Sequence, residues 1–242
     1  MIVVMPIGGR GTRFKQTGYT FPKILIPIRN RPMLQWAVES LNMPWAKHVF
    51  VCSREDYEAY PLEAMCAQLV PDYSLVIEEE RKGAAAAVLL GLAGPTSFTE
   101  PLLIANCDQW LEWDSNHFVK AAFALGVDGM IPVFRSVHPK WSYARLEKGL
   151  VVEVAEKRPI SPWATCGLYY WSQVGKFIQA AQNMMEDPSK RIHGEWYVAP
   201  VMNELINIGG QVMAYDKLTM WGLGTPEDLT EFQIAVCSGK IH

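Results

Sequence analysis

The chemistry of this chain begins in its opening stretch, where the apolar run Ile2-Val3-Val4-Met5 breaks into Gly8-Gly9-Arg10-Gly11-Thr12-Arg13. A β-branched run ending in glycines predicts a buried parallel strand that feeds a loop, with its backbone brought close to a ligand. Arg10 and Arg13 place guanidinium forks beside that backbone, and such forks match phosphate oxygens. Lys23 follows ten residues after Arg13, held between Pro22 and the apolar run Ile24-Leu25-Ile26. Gly8, Gly9, Gly11, Thr12, Arg13 and Lys23 thus read as a polyphosphate clamp. The competing reading is a glycine-rich turn with solvated arginines. Two common phosphate loops are excluded: no Gly-Lys-Ser/Thr ending is present, and Phe14 stands where a dinucleotide fingerprint needs a third glycine.

A second candidate lies at Asp108, just past the apolar run Pro101 to Cys107. A carboxylate at the end of a buried strand is placed to hold Mg²⁺ against nucleotide phosphates, since Mg²⁺ takes one or two protein carboxylates and leaves its other positions to phosphate and water. A helix cap or a solvated loop Asp is the plainer alternative. Gly83, opening the run Ala84 to Ala87, either starts a helix or lets a nucleobase lie against the backbone.

The elements that must position these residues follow from periodicity. The pattern predicts helices over 32–41, 55–69 (disturbed by Pro61), 171–185, 198–206 and from Thr225 onward, where a capping Thr precedes Pro226. It predicts strands at 48–52, 74–77, 101–107, 165–171 and 212–215, with a hairpin over 143–154. Alternating strands and helices imply right-handed βαβ units, and ligands of such sheets bind at the carboxyl ends of the strands. The loops after Met5, Ile77, Ile104 and Ile131 should therefore face one crevice. The expected fold is α/β, a Rossmann-like three-layer α/β/α arrangement with a mostly parallel mixed sheet. It forms a single domain over 1–242, with 1–135 binding the nucleotide and 136–242 the acceptor.

With 242 residues, half of them hydrophobic, the chain can bury one substantial core. A net charge of −3 with scattered basic residues argues against nucleic acid or an anionic membrane as partner. Five widely spaced cysteines without a C-x-x-C pair suggest reduced thiols rather than disulfides or zinc. No apolar run approaches bilayer length and no charged leader precedes the first strand, so a cytoplasmic protein is expected.

The pattern GG-x-GTRF followed by Pro22-Lys23 and an apolar run resembles the signature of nucleotidyltransferases that activate sugar 1-phosphates, including glucose-1-phosphate thymidylyltransferases and related bacterial capsule-type enzymes. The resemblance covers nearly the whole chain and implies a Mg²⁺-dependent reaction. An NTP and a phosphorylated acceptor, a sugar 1-phosphate, give an NDP-sugar and pyrophosphate. It assigns Arg13, Lys23 and Asp108 to catalysis, with Asp108 as the metal ligand. It places Glu78, Gly83 and Ala84 at the nucleoside; thymidylyl- and uridylyltransferases usually carry Gln where Glu78 stands, so the base stays open. The stretch Glu156-Lys157 followed by Thr165 to Tyr170 is similar to the family's acceptor grip. Glu156 then meets an acceptor hydroxyl, Lys157 the acceptor phosphate, and Gly167 and Glu195 line the same subsite.

One departure stands out. The family often has W-x-D-x-G-T near its end, with a second metal carboxylate, whereas Trp221-Gly222-Leu223-Gly224-Thr225 puts Gly222 there. Metal binding then rests on Asp108 with phosphate and water, or Asp216 or Asp228 substitutes, or the protein binds nucleotide without turnover as a regulator. A subgroup with Pro139-Lys140-Trp141-Ser142-Tyr143-Ala144 and a GLGTPEDL ending favours the first. The acceptor need not be a sugar, since cytidylyltransferases acting on non-sugar phosphates resemble the same fold. A glycosyltransferase is disfavoured because Asp108-Gln109-Trp110 supplies no Asp-x-Asp. The analogy further implies precursor supply for a bacterial surface polysaccharide, and it allows a homo-oligomer.

Overall fold

The computed structural model describes residues 1–241. From the amino terminus, β1 (Ile2–Pro6) leads through the short α1 (Thr12–Gln16), a 3₁₀ turn at Lys23–Leu25, β2 (Pro27–Ile28) and β3 (Arg31–Pro32) into α2 (Met33–Leu41). Then come β4 (Lys47–Ser53), α3 (Arg54–Ala59), α4 (Leu62–Leu69), β5 (Tyr73–Glu78), α5 (Ala84–Gly91), β6 (Leu102–Ala105), β7 (Gln109–Trp113), α6 (Ser115–Leu125) and β8 (Gly129–Arg135). The remainder supplies β9 (Tyr143–Glu147), β10 (Leu150–Ala155), β11 (Trp163–Thr165), β12 (Leu168–Trp171), α7 (Val174–Met185), α8 (Val201–Asn207), β13 (Val212–Tyr215), β14 (Leu218–Gly222) and α9 (Pro226–Cys237).

One ten-stranded sheet runs in the order β11-β9-β10-β13-β8-β12-β6-β1-β4-β5. The block β5-β4-β1-β6 is parallel throughout. β12, from the second half, inserts antiparallel between β6 and β8, and β13 runs parallel to β8. With β8, β9 and β13 aligned to that block, only β10, β11 and β12 oppose it, so the sheet is mixed and mostly parallel in direction. The interleaving means that residues 129–135 sit among strands of the second half.

Alternation within β1 shows how the sheet is covered. Ile2 and Val4 join one core with α5, α7 and α8, through Val88, Phe177 and Leu205. Val3 and Met5 join the other with α2, α4 and α6, through Leu34, Cys66 and Phe118. Helices on both faces make the three-layer arrangement. A third, smaller core ties Phe14 to Leu223, Leu229 and Phe232, so α9 at the far end of the chain supports the glycine loop at its start.

Two expectations are corrected, and the disturbance expected at Pro61 is a full break. The segment 165–171 is two strands, because Gly167 turns at φ +75° and its carbonyl accepts the Asn106 N–H at 2.9 Å. Trp171 ends β12 instead of opening a helix, which starts at Val174. Pro61 divides 55–69 into α3 and α4, with Ser53 capping the former by accepting the Asp56 N–H. Among the described residues no helix is long and apolar enough to cross a membrane.

Candidate functional site

The loops at the carboxyl ends of β1, β5 and β6 open onto one cleft of about 500 Å³, whose opposite wall comes from the second half. It brings together Gly8, Gly9, Gly11, Thr12, Arg13, Lys23, Glu78, Gly83, Ala84, Asp108, Glu156, Lys157, Gly167 and Glu195. Asp216 is not in its wall, whereas Asp228 is. The rim beyond β8 is formed not by the residues next to Ile131 but by Lys140, Trp141 and Ser142.

The glycines do different work from one another. A Cβ on Gly8 would stand 2.9 Å from the Ser53 backbone nitrogen, so this glycine lets the loop pass the end of β4. Gly11 lies at φ +58° against the stem of Lys23. Gly9 is exposed, with the Lys23 ammonium 4.0 Å from where a Cβ would stand. A Cβ on Gly83 would fall 2.6 Å from the Trp196 carbonyl oxygen; the strand–helix turn at φ +108° uses its missing side chain to let the Glu195–Trp196 segment cross. Trp196 bonds back on both sides, donating its N–H to Lys82 O (3.0 Å) and accepting from Ala85 N (2.9 Å). The nucleobase role expected of Gly83 therefore does not explain why a glycine is there.

Lys23 is anchored by its neighbours: Ile24 buries in the core under β1 and Ile26 in the third core. Its Nζ lies 2.8 Å from Asp108 Oδ2. Burial works against the ammonium, but the Asp108 carboxylate outweighs it and Lys23 is held above its ordinary range. Burial pushes the neighbouring Cys107 thiol up to about 11, so it offers no thiolate at neutral pH. Arg10 and Arg13 stand exposed on the rim, their guanidinium groups open to a ligand.

The segment Gly222–Gly224 touches two acids. A Cβ on Gly224 would stand 2.8 Å from Asp108 Oδ2, and one on Gly222 would stand 3.3 Å from Asp228 Oδ2. β14 places this segment by pairing with β7, Gly222 opposite Gln109, and the Leu223 N–H donates to Asp108 O at 2.8 Å. The room left by Gly222 is filled by the Trp141 ring, 2.7 Å from the same Cβ position. Asp228 pairs through Oδ1 with Lys140, whose Nζ lies 4.7 Å from the Trp141 ring centroid. Among the described residues, Asp228 Oδ2 is buried without a hydrogen-bond partner.

On the opposite wall, Glu156 follows β10 and accepts a hydrogen bond from Ser142 Oγ. Burial pushes its carboxyl up despite that hydroxyl and the Lys157 ammonium 3.7 Å away. Lys157, at φ +51°, donates to Tyr197 Oη at 2.9 Å and lies 4.5 Å over its ring. Lys140, Trp141 and Tyr197 were not singled out by type and spacing. Lys140 and Trp141 do fall within the hexapeptide 139–144 singled out by the resemblance, and Tyr197 lies two residues after Glu195.

Mannose-1-phosphate guanylyltransferase catalytic subunit beta of Danio rerio is 27% identical over 236 residues, covering 94% of this chain and 62% of that protein. The bifunctional protein GlmU of Cutibacterium acnes is 34% identical over 93 residues, 38% of this chain and 21% of that protein. The chain thus spans less than two thirds of these relatives. A nucleoside-diphosphate-sugar pyrophosphorylase structure from Vibrio cholerae superposes with TM-score 0.81 at 25% identity, covering 97% of this chain and all of that one. A UDP-glucose pyrophosphorylase complexed with UDP-glucose shares the fold, with TM-score 0.79 at 20% identity over 98% of both chains. A model of the MobA-like NTP transferase domain matches residues 3–164, most of the sheet and the whole β1–β6 wall of the cleft. The chain belongs to the MobA-like NTP transferase family.

Proposed function

We propose that the protein joins an NTP to a sugar 1-phosphate, releasing pyrophosphate and forming an NDP-sugar. The observation that carries this reading is the division of cations in the cleft: Arg10, Arg13 and Lys23, the last paired with Asp108, on the first-half wall, and Lys157 with the Asp228-paired Lys140 on the second. Two polyanions brought together need such a split. The names of the relatives, which act on sugar phosphates, agree with it.

In the proposed reaction the acceptor phosphate oxygen attacks the α-phosphorus in line, the bond to the bridging oxygen breaks, and pyrophosphate leaves. No protein nucleophile is required, because the attacking oxygen is already anionic; positioning and charge neutralisation supply the catalysis. Lys23 faces the α-phosphate, Arg13 the departing pyrophosphate, and Lys157 offsets the repulsion between the substrates. Glu156 accepts from an acceptor hydroxyl. The donor set suits a divalent cation: Asp108 and the orphaned Oδ2 of Asp228 both border the Gly222–Gly224 segment. Bound Mg²⁺ would add charge neutralisation at the phosphates.

The test is pyrophosphate release from the purified protein across a matrix of NTPs, sugar 1-phosphates and other small phosphorylated compounds. Release that requires one NTP and one acceptor together supports the reading and identifies both. Tight NTP binding without release against any acceptor overturns it in favour of a nucleotide-binding regulator.

A further inference from the structure

Two lysine–aspartate pairs flank the Gly222–Gly224 segment: Lys23–Asp108 beside Gly224 and Lys140–Asp228 beside Gly222. The reaction proposed above uses the first lysine and not the second. Lys140 nevertheless lines the cleft, and it comes from the wall opposite Lys23.

The ion pair is not what holds either partner in place. Lys140 sits in the irregular stretch between β8 and β9, which other contacts fix. Tyr143, buried at the start of β9, donates from Oη to His138 O at 2.7 Å, and the Lys140 N–H donates to His138 Nδ1 at 3.2 Å. The Trp141 ring meets Phe134 edge-on at 5.4 Å and fills the room over Gly222. Asp228 is placed by α9, whose first turn Thr225 caps. A pair that neither segment needs for its position is free to exchange partners.

Lys140 also has donors to spare. An ammonium carries three N–H groups, and among the described residues Asp228 Oδ1 is the one acceptor they meet. Its charge reaches the phosphate end of the cleft. The exposed Glu227 carboxyl is lowered first by its own backbone N–H and the Thr225 hydroxyl, and further by both Lys140 and Arg13. The second-half lysine and the glycine-loop arginine therefore converge on the amino end of α9. Passing from Asp228 to a phosphate held by Arg13 is a change of rotamer, which the flexible four-carbon stem of a lysine allows.

We infer that Lys140 is a further phosphate-binding residue: Asp228 stores its ammonium while the cleft is empty, and it passes to the outer phosphates of the nucleotide, those that leave as pyrophosphate. The inference rests on the nucleotidyltransferase reading and deepens it. Phosphate oxygens are strong acceptors for a charged donor and compete with the carboxylate for the same N–H groups. A divalent cation at the open Oδ2 would loosen Lys140 further, because the carboxylate's charge is then shared.

The experiment is calorimetric binding of inorganic pyrophosphate to the whole chain, Lys140→Met, Asp228→Asn and the double variant, in EDTA and again in Mg²⁺. No turnover is needed, so the result stands apart from pyrophosphate release. In EDTA, Asp228→Asn releases Lys140 and is expected to tighten pyrophosphate about tenfold, a gain that vanishes when Lys140 is also replaced. In Mg²⁺, Lys140→Met is expected to bind about tenfold more weakly than the parent. Lys140→Met leaves a buried carboxylate unpaired. Should it fail to fold, Asp228→Asn and the double variant still differ only at Lys140, and melting temperatures report their folding. Equal affinity of those two variants overturns the inference, as does unchanged affinity of a folded Lys140→Met in Mg²⁺. Tightening by Asp228→Asn of the same size with and without Lys140 also overturns it, because the gain then reports only a lost negative charge. Absence of pyrophosphate binding by the unaltered chain overturns it together with the nucleotidyltransferase reading.

Discussion

Lys23 Nζ sits 2.8 Å from Asp108 Oδ2, linking the segment after β1 to the segment after β6 at the centre of the cleft. The pair keeps a cation and the acid proposed to hold the metal at the same spot, each restraining the other's position. Burial alone would lower the ammonium's pKa; the carboxylate reverses the sign. A base whose folded pKa is raised contributes stability fully below its unfolded value, roughly 10.4, and loses it only above that. Lys23 therefore stays charged from pH 6 to 9 (roughly), and its titration does not set an alkaline limit on activity there. Lys23→Ala is expected to lower pyrophosphate release about 10²-fold or more in a protein that still folds, with a melting temperature below the parent's because the Asp108 carboxylate loses its partner. A folded Lys23→Ala with unreduced turnover removes Lys23 from catalysis.

Glu156 carries the opposite sign. Burial raises its pKa against the pull of Ser142 and Lys157, so the ionised form costs stability. That cost is absent below the unfolded value near 4.3, grows as pH rises through the window up to the folded pKa, and persists above it. Glu156→Gln keeps an acceptor for Ser142 Oγ and removes the charge. Its melting temperature is expected to exceed the parent's at pH 7.5, with the difference vanishing near pH 4. Its KM for the acceptor is expected to rise about tenfold while NTP binding holds, because a charged acceptor of the hydroxyl is lost. A lower melting temperature at pH 7.5, or an unchanged acceptor KM, contradicts the assignment.

Local signals carried the sheet and the first wall of the site. Ile2 to Met5, His48 to Cys52 and Leu102 to Ala105 are short apolar runs, and a run buried on both faces needs no partner information to be recognised. Thr225 and Pro226 announce α9 by themselves. What escaped depends on contacts distant in sequence. Gln109–Trp113 and Leu218–Gly222 form a ribbon only by pairing with one another across more than a hundred residues. Gly8 and Gly83 read as ligand glycines, but the close approach they permit is to Ser53 and Trp196, which no spacing reveals. Gly222, which stands where the resemblance has a metal carboxylate, lies against Trp141 and Asp228, neighbours that no spacing reveals.

Asp228 follows from that last point. Its Oδ1 is taken by Lys140, its Oδ2 is buried and unpartnered, and the bordering Gly222–Gly224 segment also touches Asp108. If the second carboxylate for a divalent ion comes from the first turn of α9 instead of from β14, Asp228→Asn should weaken metal binding without emptying the nucleotide site. The expected outcome is an affinity for Mn²⁺ about tenfold lower, read by electron paramagnetic resonance with a non-hydrolysable NTP analogue present. Unchanged Mn²⁺ affinity leaves Asp108 as the sole protein carboxylate on the metal.

Gly83 tests whether the two walls are joined where the Trp196 backbone crosses the start of α5. A methyl group there meets the Trp196 carbonyl at 2.6 Å, in a backbone conformation at φ +108° that L side chains rarely adopt. Relief requires breaking the Trp196–Lys82 and Ala85–Trp196 hydrogen bonds or bending the turn. Gly83→Ala is therefore expected to cost about 3 kcal/mol or more in urea unfolding, well beyond an ordinary surface substitution. Displacing the crossing segment also moves Glu195 and Tyr197, so whatever native protein remains should show a raised acceptor KM. A variant as stable as the parent would mean that the crossing yields easily and does not fix the cleft's width.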